Sequence, residues 1–558
     1  MEKKNSSASL DLILPEGKVL PVSRGRSLLE ISVAVSGHYP APIVAAMVDH
    51  KLVELAEVLA EGSELRFLDL TSMEGMRIYR RSLTFLLIEA IKELYPEANI
   101  NVVHFLGNGL YCEIKNSDPL DAEAVAEIEA KMRQLVREDR PFKKRRVSLS
   151  EAARVFSSQG DEDKVQLLPY WPGDHVDLYS IGSREDYLCG YLVPRTGVLK
   201  HFALNDYQSG LVLRMPEEKN PYVIPPFVEQ KQLFGIFHEA DRWGTILGFD
   251  TVGAMNSLIE SGMGPEIVRV AEALHEKKIA QIADLICERR EEIRVILVAG
   301  PSSSGKTTFA QRLRVQLLVN GLRPVPISID DYFLDREQTP LDEFNEPDFE
   351  SLKAIDLSLF NEHLVRLIAG EEVEIPTYNF TTGKREYGGR RIKLGPDQPL
   401  IIEGIHGLNE ELTRAIPRRS KYKIYISALT ALNMDRHTRI RTSDTRLLRR
   451  IVRDAQFRGN DALESIRRWP AVRRGEEKNI FCLQEEADIM FNSALVYEQA
   501  VIKKYAEPLL KKIDRTAPEY VEARRLLHLL SFFRPLDPNE LPTNSILREF
   551  IGKSCFFG

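Results

Sequence analysis

The chain has 558 residues, 43% hydrophobic and 28% charged, with a formal net charge of −7. That length exceeds one hydrophobic core and calls for three or four domains, and the composition is that of globular rather than disordered protein. The acidic balance argues against a protein that coats nucleic acid along its whole length, while leaving room for a local basic patch.

Residues 1–14 carry two lysines and a short apolar run broken by Asp11, which does not make a secretion signal. Residues 9–70 read as short strands around one helix. Segments 10–14 and 18–22 flank the turn Pro15-Glu16-Gly17, a hairpin signal, and Ser27 is placed to cap a helix over 28–35. Further strands are expected at 45–48 and 64–70, completing a small α+β module.

In residues 71–255, Leu83, Leu86, Leu87, Ala90, Ile91 and Leu94 recur at helical spacing, predicting a helix over 81–94, and an amphipathic helix follows at 122–137. Strands are expected at 187–193 and 211–214. The run Lys143-Lys144-Arg145-Arg146 reads as a solvated linker, with RNA contact as the alternative. His104, His175 and His201 show no metal-ligand spacing.

Residues 256–292 read as a connecting helix, with Ile267, Val270, Ala271, Leu274 and Ile279 on one stripe. From 293 to 520, apolar runs at 295–299, 325–329, 400–402, 422–427 and 489–491 alternate with helical stretches. That alternation predicts a parallel sheet of βαβ units, an α/β fold. Residues 521–558 read as a C-terminal tail. Cys112, Cys189, Cys287, Cys482 and Cys555 are scattered without a C-x-x-C pair, as in a reducing compartment. No stretch approaches the roughly 18 apolar residues of a membrane span. A cytoplasmic protein without a membrane partner is expected.

One motif carries chemistry. Gly300, Pro301, Ser302, Ser303, Ser304, Gly305, Lys306 and Thr307 satisfy G-x-x-x-x-G-K-[ST], between an apolar strand at 293–298 and a helical run at 308–318. The glycines let the backbone wrap so that its N–H groups face phosphate oxygens at a helix N-terminus. Lys306 then reaches the β- and γ-phosphates of ATP, and the Thr307 hydroxyl suits Mg²⁺. Chance alone yields the pattern in roughly a few per cent of chains this long, and the flanking strand and helix lower that further.

Asp330 and Asp331 follow the next strand, where open α/β sheets bind ligands. A carboxylate there can orient an acceptor hydroxyl and take its proton; Asp330 is the candidate, and Asp331 is assigned to capping. Glu403 ends the strand at 400–402 and can hold the metal, with a structural acid as the alternative. Eight arginines crowd residues 436–458, among them Arg446, Arg449, Arg450 and Arg453, a density suited to a lid over triphosphate.

On these residues, 293–515 resembles the uridine kinase and phosphoribulokinase family. The resemblance implies an ATP- and Mg²⁺-dependent kinase with the loop 300–308, including Thr308, on the nucleotide. It also implies Asp330 and Lys306 as catalytic residues and Glu350 on the ribose. Tyr378 would line the base pocket, Arg446 and Arg449 would contact phosphates, and Arg446 would also contact the acceptor. Three departures bear on base choice: Gly383 stands where a histidine is usual, Glu350 replaces an aspartate, and Phe333 replaces a tyrosine. The implied acceptor is a nucleoside of the uridine or cytidine kind, with another sugar or vitamin-like alcohol as the alternative. A nucleotide-switched tRNA- or ribosome-binding protein is the reading from another class.

The front half resembles the N-terminal part of threonyl-tRNA synthetases, with a TGS-like module at 9–70 and an editing-like α+β domain at 71–255. The family's His-x-x-x-His helix positions are here Arg81 and Phe85, and Leu192 stands where a later histidine would be. The resemblance therefore implies a retained fold without the hydrolytic editing chemistry. RNA contact through this half and homo-oligomer formation are both left open.

Overall fold

A computed structural model describes residues 9–23, 25–58, 64–107, 109–115, 120–380, 382–430 and 432–557; residues 1–8 of the chain's start lie outside them. Strands β1 (Ser9–Ile13) and β2 (Val19–Ser23) pair antiparallel around the expected turn, in which Gly17 has φ +81°. Helix α1 (Leu28–Val35) begins where predicted. Ser27 Oγ accepts from the Glu30 N–H, and Glu30 Oε2 accepts from the Ser27 N–H, both at 3.2 Å. Strands β3 (Ile43–Val48), β4 (Lys51–Val53) and β5 (Glu64–Asp69) complete a five-stranded sheet of order β2-β1-β5-β3-β4 over a core of Leu12, Leu28, Ile31, Leu65 and Phe67.

Helix α2 (Met73–Leu94) starts eight residues earlier than its apolar stripe suggests, because Ser72 caps it by accepting from the Gly75 N–H at 3.1 Å. Next come β6 (Asn99–Leu106), β7 (Gly109–Lys115), α3 (Ala122–Glu138), β8 (Lys143–Ser148), α4 (Leu149–Gln159), α5 (Glu162–Leu167), β9 (His175–Ser180), β10 (Glu185–Asp186), β11 (Ala203–Tyr207) and β12 (Gly210–Arg214). They form two antiparallel sheets, β11-β12-β7-β6 and β10-β9-β8.

Two expectations change here. The run at 143–146 is strand, not linker: Lys144 pairs with Glu54 at 2.7 Å, Arg145 with Glu185 at 2.6 Å and Arg146 with Asp177 at 2.7 Å. Intramolecular carboxylates already take these three cations. The run at 187–193 is not a strand, because Leu188 and Cys189 have φ of +44° and +47°. The chain turns there around Arg81, whose Nη1 donates to the Tyr191 carbonyl at 2.7 Å. Phe85 and Leu192 are buried apolar side chains.

Helices α6 (Lys231–Leu247), α7 (Val252–Leu258) and α8 (Gly264–Cys287) lead to the C-terminal sheet. It contains β13 (Val295–Ala299) and α9 (Lys306–Val319), then β14 (Val325–Ser328) and α10 (Leu357–Ile368). Four short strands, β15 (Val373–Glu374), β16 (Thr377–Asn379), β17 (Lys384–Glu386) and β18 (Arg391–Ile392), precede β19 (Leu400–Glu403) and β20 (Lys421–Ser427). Helices α11 (Thr442–Arg453) and α12 (Ala462–Asn479), strand β21 (Ile489–Asn492) and helices α13 (Glu498–Leu510), α14 (Tyr520–Ser531) and α15 (Arg548–Ile551) follow. The order β14-β19-β13-β20-β21 is parallel throughout, as the near-continuous apolar runs predict.

The stretch expected as a C-terminal tail carries α14 and α15. Ile546, Leu547 and Phe550 are fully buried in a core that also contains Val147, Leu178, Ile296 and Phe309. One apolar core thus joins the middle of the chain to its end. A buried polar cluster crosses the same boundary: Lys164 pairs with Asp186, His437 Nδ1 meets Asp186 at 2.8 Å, and the Tyr187 hydroxyl donates to Asp435 at 2.6 Å. Among the described residues no helix is long and apolar enough to cross a membrane.

Candidate active site

The loop between β13 and α9 is shaped by its own sequence. A Cβ on Gly300 would lie 2.0 Å from the Ile426 carbonyl oxygen, so the chain passes β20 only because that position is glycine. Gly305 has φ +85°, and Ser303 holds a left-handed φ of +59° without being glycine. Side chains from α11 brace this strained loop from below. Arg446 Nε donates to the Ser302 carbonyl at 3.0 Å, Arg449 Nη1 to the Ser303 carbonyl at 3.4 Å, and Arg450 Nη1 to the Ser302 hydroxyl at 3.1 Å.

Two of the arginines expected in a lid have acidic partners inside the fold. Arg446 and Arg449 are 1% and 0% exposed, and each is neutralised by a buried acid. Arg446 pairs with Glu476, while Arg449 binds Glu498 through Nε at 3.0 Å and Nη2 at 2.6 Å. A guanidinium held this way is a strut. Arg450 and Arg453 are only partly buried and share Asp454, at 3.3 and 2.8 Å.

Register places the acids. Glu403 lies beside Val298 on one flank and Ser328 on the other, so three adjacent strands end together at the loop. Ser328 Oγ donates to Glu403 Oε1 at 3.0 Å and accepts from the Asp330 N–H at 3.3 Å, tying the two acids to one hydroxyl. Burial and the Asp330 carboxylate push Glu403 up to about 7. Burial also raises Asp330, against the pull of Lys306, Arg458 and Arg453. The Lys306 ammonium folds onto the Pro301 carbonyl at 3.2 Å. Thr307 is half-buried on the first turn of α9. Asp331 does not cap a helix; it pairs with Arg390 at 3.2 Å.

Glu350 enters from the segment before α10. Its carbonyl accepts from Asn479 Nδ2 at 2.9 Å, and its side chain lies where a Cβ on Gly475 would sit, 2.3 Å from its own Cβ. Burial and the Glu476 carboxylate push Glu350 up to about 7, and its Oε2 is buried with no hydrogen-bond partner among the described residues. Tyr378 is buried among aromatic rings, with Phe333 at 5.5 Å and Phe380 at 5.1 Å. Gly383 has φ +70°, and a Cβ there would lie 2.8 Å from Arg336 Nε. Arg336 fills that space and donates to the Phe380 carbonyl at 2.7 Å.

Three residues escaped sequence reasoning. His406, 1% exposed, lies three positions beyond Glu403, and burial lowers its ring to about 4, so it is neutral at pH 7. Its position just past a strand-end acid was the available signal. Glu476 accepts from the Ser302 N–H at 2.9 Å, and Glu549 Oε2 accepts from the Thr308 N–H at 3.0 Å and the Thr308 hydroxyl at 2.8 Å. No local pattern marks either acid.

Residues 295–498 match the model of the phosphoribulokinase / uridine kinase family and form a P-loop domain of that family. The N-terminal region is similar to threonine–tRNA ligases. That of Geobacter sp. (strain M21) is 29% identical over 195 residues, 35% of this chain and 31% of the ligase. That of Symbiobacterium thermophilum is 32% identical over 199 residues, 36% of this chain and 31% of the ligase. The chain thus spans about a third of the length of these relatives. Among solved structures, a possible uridine kinase from Bacillus stearothermophilus is 19% identical with a TM-score of 0.26, covering 38% of this chain and 97% of that one. A D-glycerate 3-kinase from Cryptococcus neoformans is 14% identical with a TM-score of 0.22, covering 45% and 87%.

Proposed function

We propose that the protein is an ATP-dependent kinase acting on a small hydroxyl compound, a nucleoside first among the candidates. The observation that carries this reading is the common end of β13, β14 and β19, which brings the loop, Asp330 and Glu403 to one edge of the sheet. A pure nucleotide switch needs no second-substrate pocket, yet Glu350 and His406 lie within electrostatic reach of Lys306, and Arg458, which pulls on Asp330, sits over the Phe380 ring at 5.2 Å.

In the proposed reaction Asp330 orients the acceptor hydroxyl and takes its proton. The acceptor oxygen bonds to the γ-phosphorus as the β–γ bridging bond breaks, leaving ADP and a phosphate ester. Lys306 and the loop N–H groups hold the phosphates in line. Glu403 and the Thr307 hydroxyl offer the hard oxygen donors that suit Mg²⁺, which supplies charge neutralisation at the β- and γ-phosphates. Glu350, with its unpartnered Oε2, suits a sugar hydroxyl, and the aromatic cluster suits a flat base. Arg336, standing where the family's histidine would project, supports a base choice different from that of uridine kinases.

We also infer that residues 9–70 and 71–255 serve as TGS-like and editing-like modules on a kinase of residues 293–520, with 256–292 as connector. The test of function is incubation with ATP, Mg²⁺ and a panel of nucleosides and sugars, with identification of the phosphorylated product. Asp330→Asn is expected to lower turnover by about 10²–10⁴-fold. An unchanged rate removes Asp330 from the mechanism.

A further inference from the structure

We propose that the C-terminal segment is a built-in competitor for the nucleotide, with Glu549 holding donors that a triphosphate must take. The inference rests on the loop being the ATP site. Thr308 is the third residue of α9, and the first four N–H groups of a helix have no partner within it. In a phosphate loop those amides, with the adjoining hydroxyl, are the groups that receive phosphate oxygens. Here one carboxylate oxygen, Glu549 Oε2, takes both the N–H and the hydroxyl of Thr308, at 3.0 and 2.8 Å.

This contact is built rather than incidental. Ile546 and Phe550 on either side of Glu549 are fully buried. Ile546 Cγ2 lies 2.5 Å from the place a Cβ on Gly305 would occupy, so the segment touches the loop itself. The Phe550 ring packs against the Arg449 guanidinium at 5.1 Å, which joins the segment to the strut beneath the loop. Arg548 Nη2 clamps the segment by donating to the Pro538 and Leu541 carbonyls, both at 2.8 Å. A carboxylate and a phosphate oxygen are both anionic acceptors and cannot share the two donors. Nucleotide binding therefore requires Glu549 to withdraw, and the resting protein holds ATP more weakly than its loop alone would.

Deleting the segment would take Ile546, Leu547 and Phe550 out of the core and uncover the apolar side chains around them, so point variants of the full-length chain provide the test. Affinity for Mg²⁺·ADP is measured by calorimetry for the wild type, Glu549→Gln and Glu549→Ala. The expected result is tighter binding in Glu549→Ala by about 10-fold or more, with Glu549→Gln between, since charge-assisted hydrogen bonds to the competitor are lost. Saturating nucleotide is also expected to speed amide exchange at residues 546–551 in the wild type. Equal or weaker binding in Glu549→Ala overturns the proposal, as does unchanged exchange at 546–551 in the nucleotide-saturated wild type, which needs no variant to fold. Lys306→Ala separates the two layers. If it abolishes nucleotide binding while Glu549→Ala changes nothing, the competitor fails and the ATP site stands. If the wild type and both Glu549 variants bind no nucleotide, both readings fall.

Discussion

Replacing Arg449 by alanine discriminates a strut from a phosphate-contacting lid residue. Arg449 and Glu498 are both fully buried and joined by two nitrogen–oxygen contacts, at 3.0 and 2.6 Å. Arg449 Nη2 also donates to the Ser493 carbonyl at 2.8 Å, and Glu498 Oε2 also accepts from the Leu495 N–H at 2.9 Å. Truncation leaves a buried carboxylate with one remaining donor and removes the bond to the Ser303 carbonyl. Breaking such a pair costs about 3–5 kcal/mol, a fall in melting midpoint of roughly 5–10 °C. Arg449→Met combined with Glu498→Leu removes both charges and is expected to lose less than Arg449→Ala alone. Melting followed by circular dichroism, with ATP turnover measured in parallel, reads both effects. A full-height melting midpoint in Arg449→Ala with turnover lost would refute the strut and return Arg449 to the phosphates.

Three further outcomes follow from buried charge. Glu350 and Glu403 are pushed from an ordinary 4.5 up to about 7, so the folded protein keeps protons that the unfolded chain has released. Their contribution to stability is therefore full below about 4.5 and is lost as pH rises through about 7. A cation beside Glu403 reverses the preference, so Mg²⁺·nucleotide binding at pH 6–7 is expected to release protons; calorimetry in buffers of different ionisation enthalpy detects this, and proton uptake would contradict it. At the boundary between the middle of the chain and the C-terminal sheet, Lys164→Met takes the ammonium away from the buried Asp186 and Asp435 carboxylates, leaving them only their other donors. It is expected to cost about 3–5 kcal/mol, read as a lower urea midpoint, and an unchanged midpoint would show that the cluster is not a keystone.

The legible parts of this protein are those whose cause lies within a few residues. The hairpin around Gly17, the Ser27–Glu30 cap and the loop from Gly300 to Thr308 each combine a local backbone demand with the residue that meets it. Parallel strands buried on both faces show as continuous apolar runs, so the sheet order's members were visible before their pairing was. The apolar run at 187–193 misled because Arg81, more than 100 positions earlier, fixes a turn there. The acidic partners of the α11 arginines were not legible for a related reason: their spacing predicts a cationic face, but spacing does not say whether acids from α12 and α13 will meet it.

Sequence alone thus determined the phosphate loop, the strand-end acids and the α/β class, since these follow from dihedral preference and periodicity. Tertiary structure decided which charges are spent inside the fold and which face the cleft. Electrostatic partners are chosen by proximity in space. Glu476 and Glu549 reach the loop across 174 and 241 positions of chain, a separation over which no sequence pattern persists.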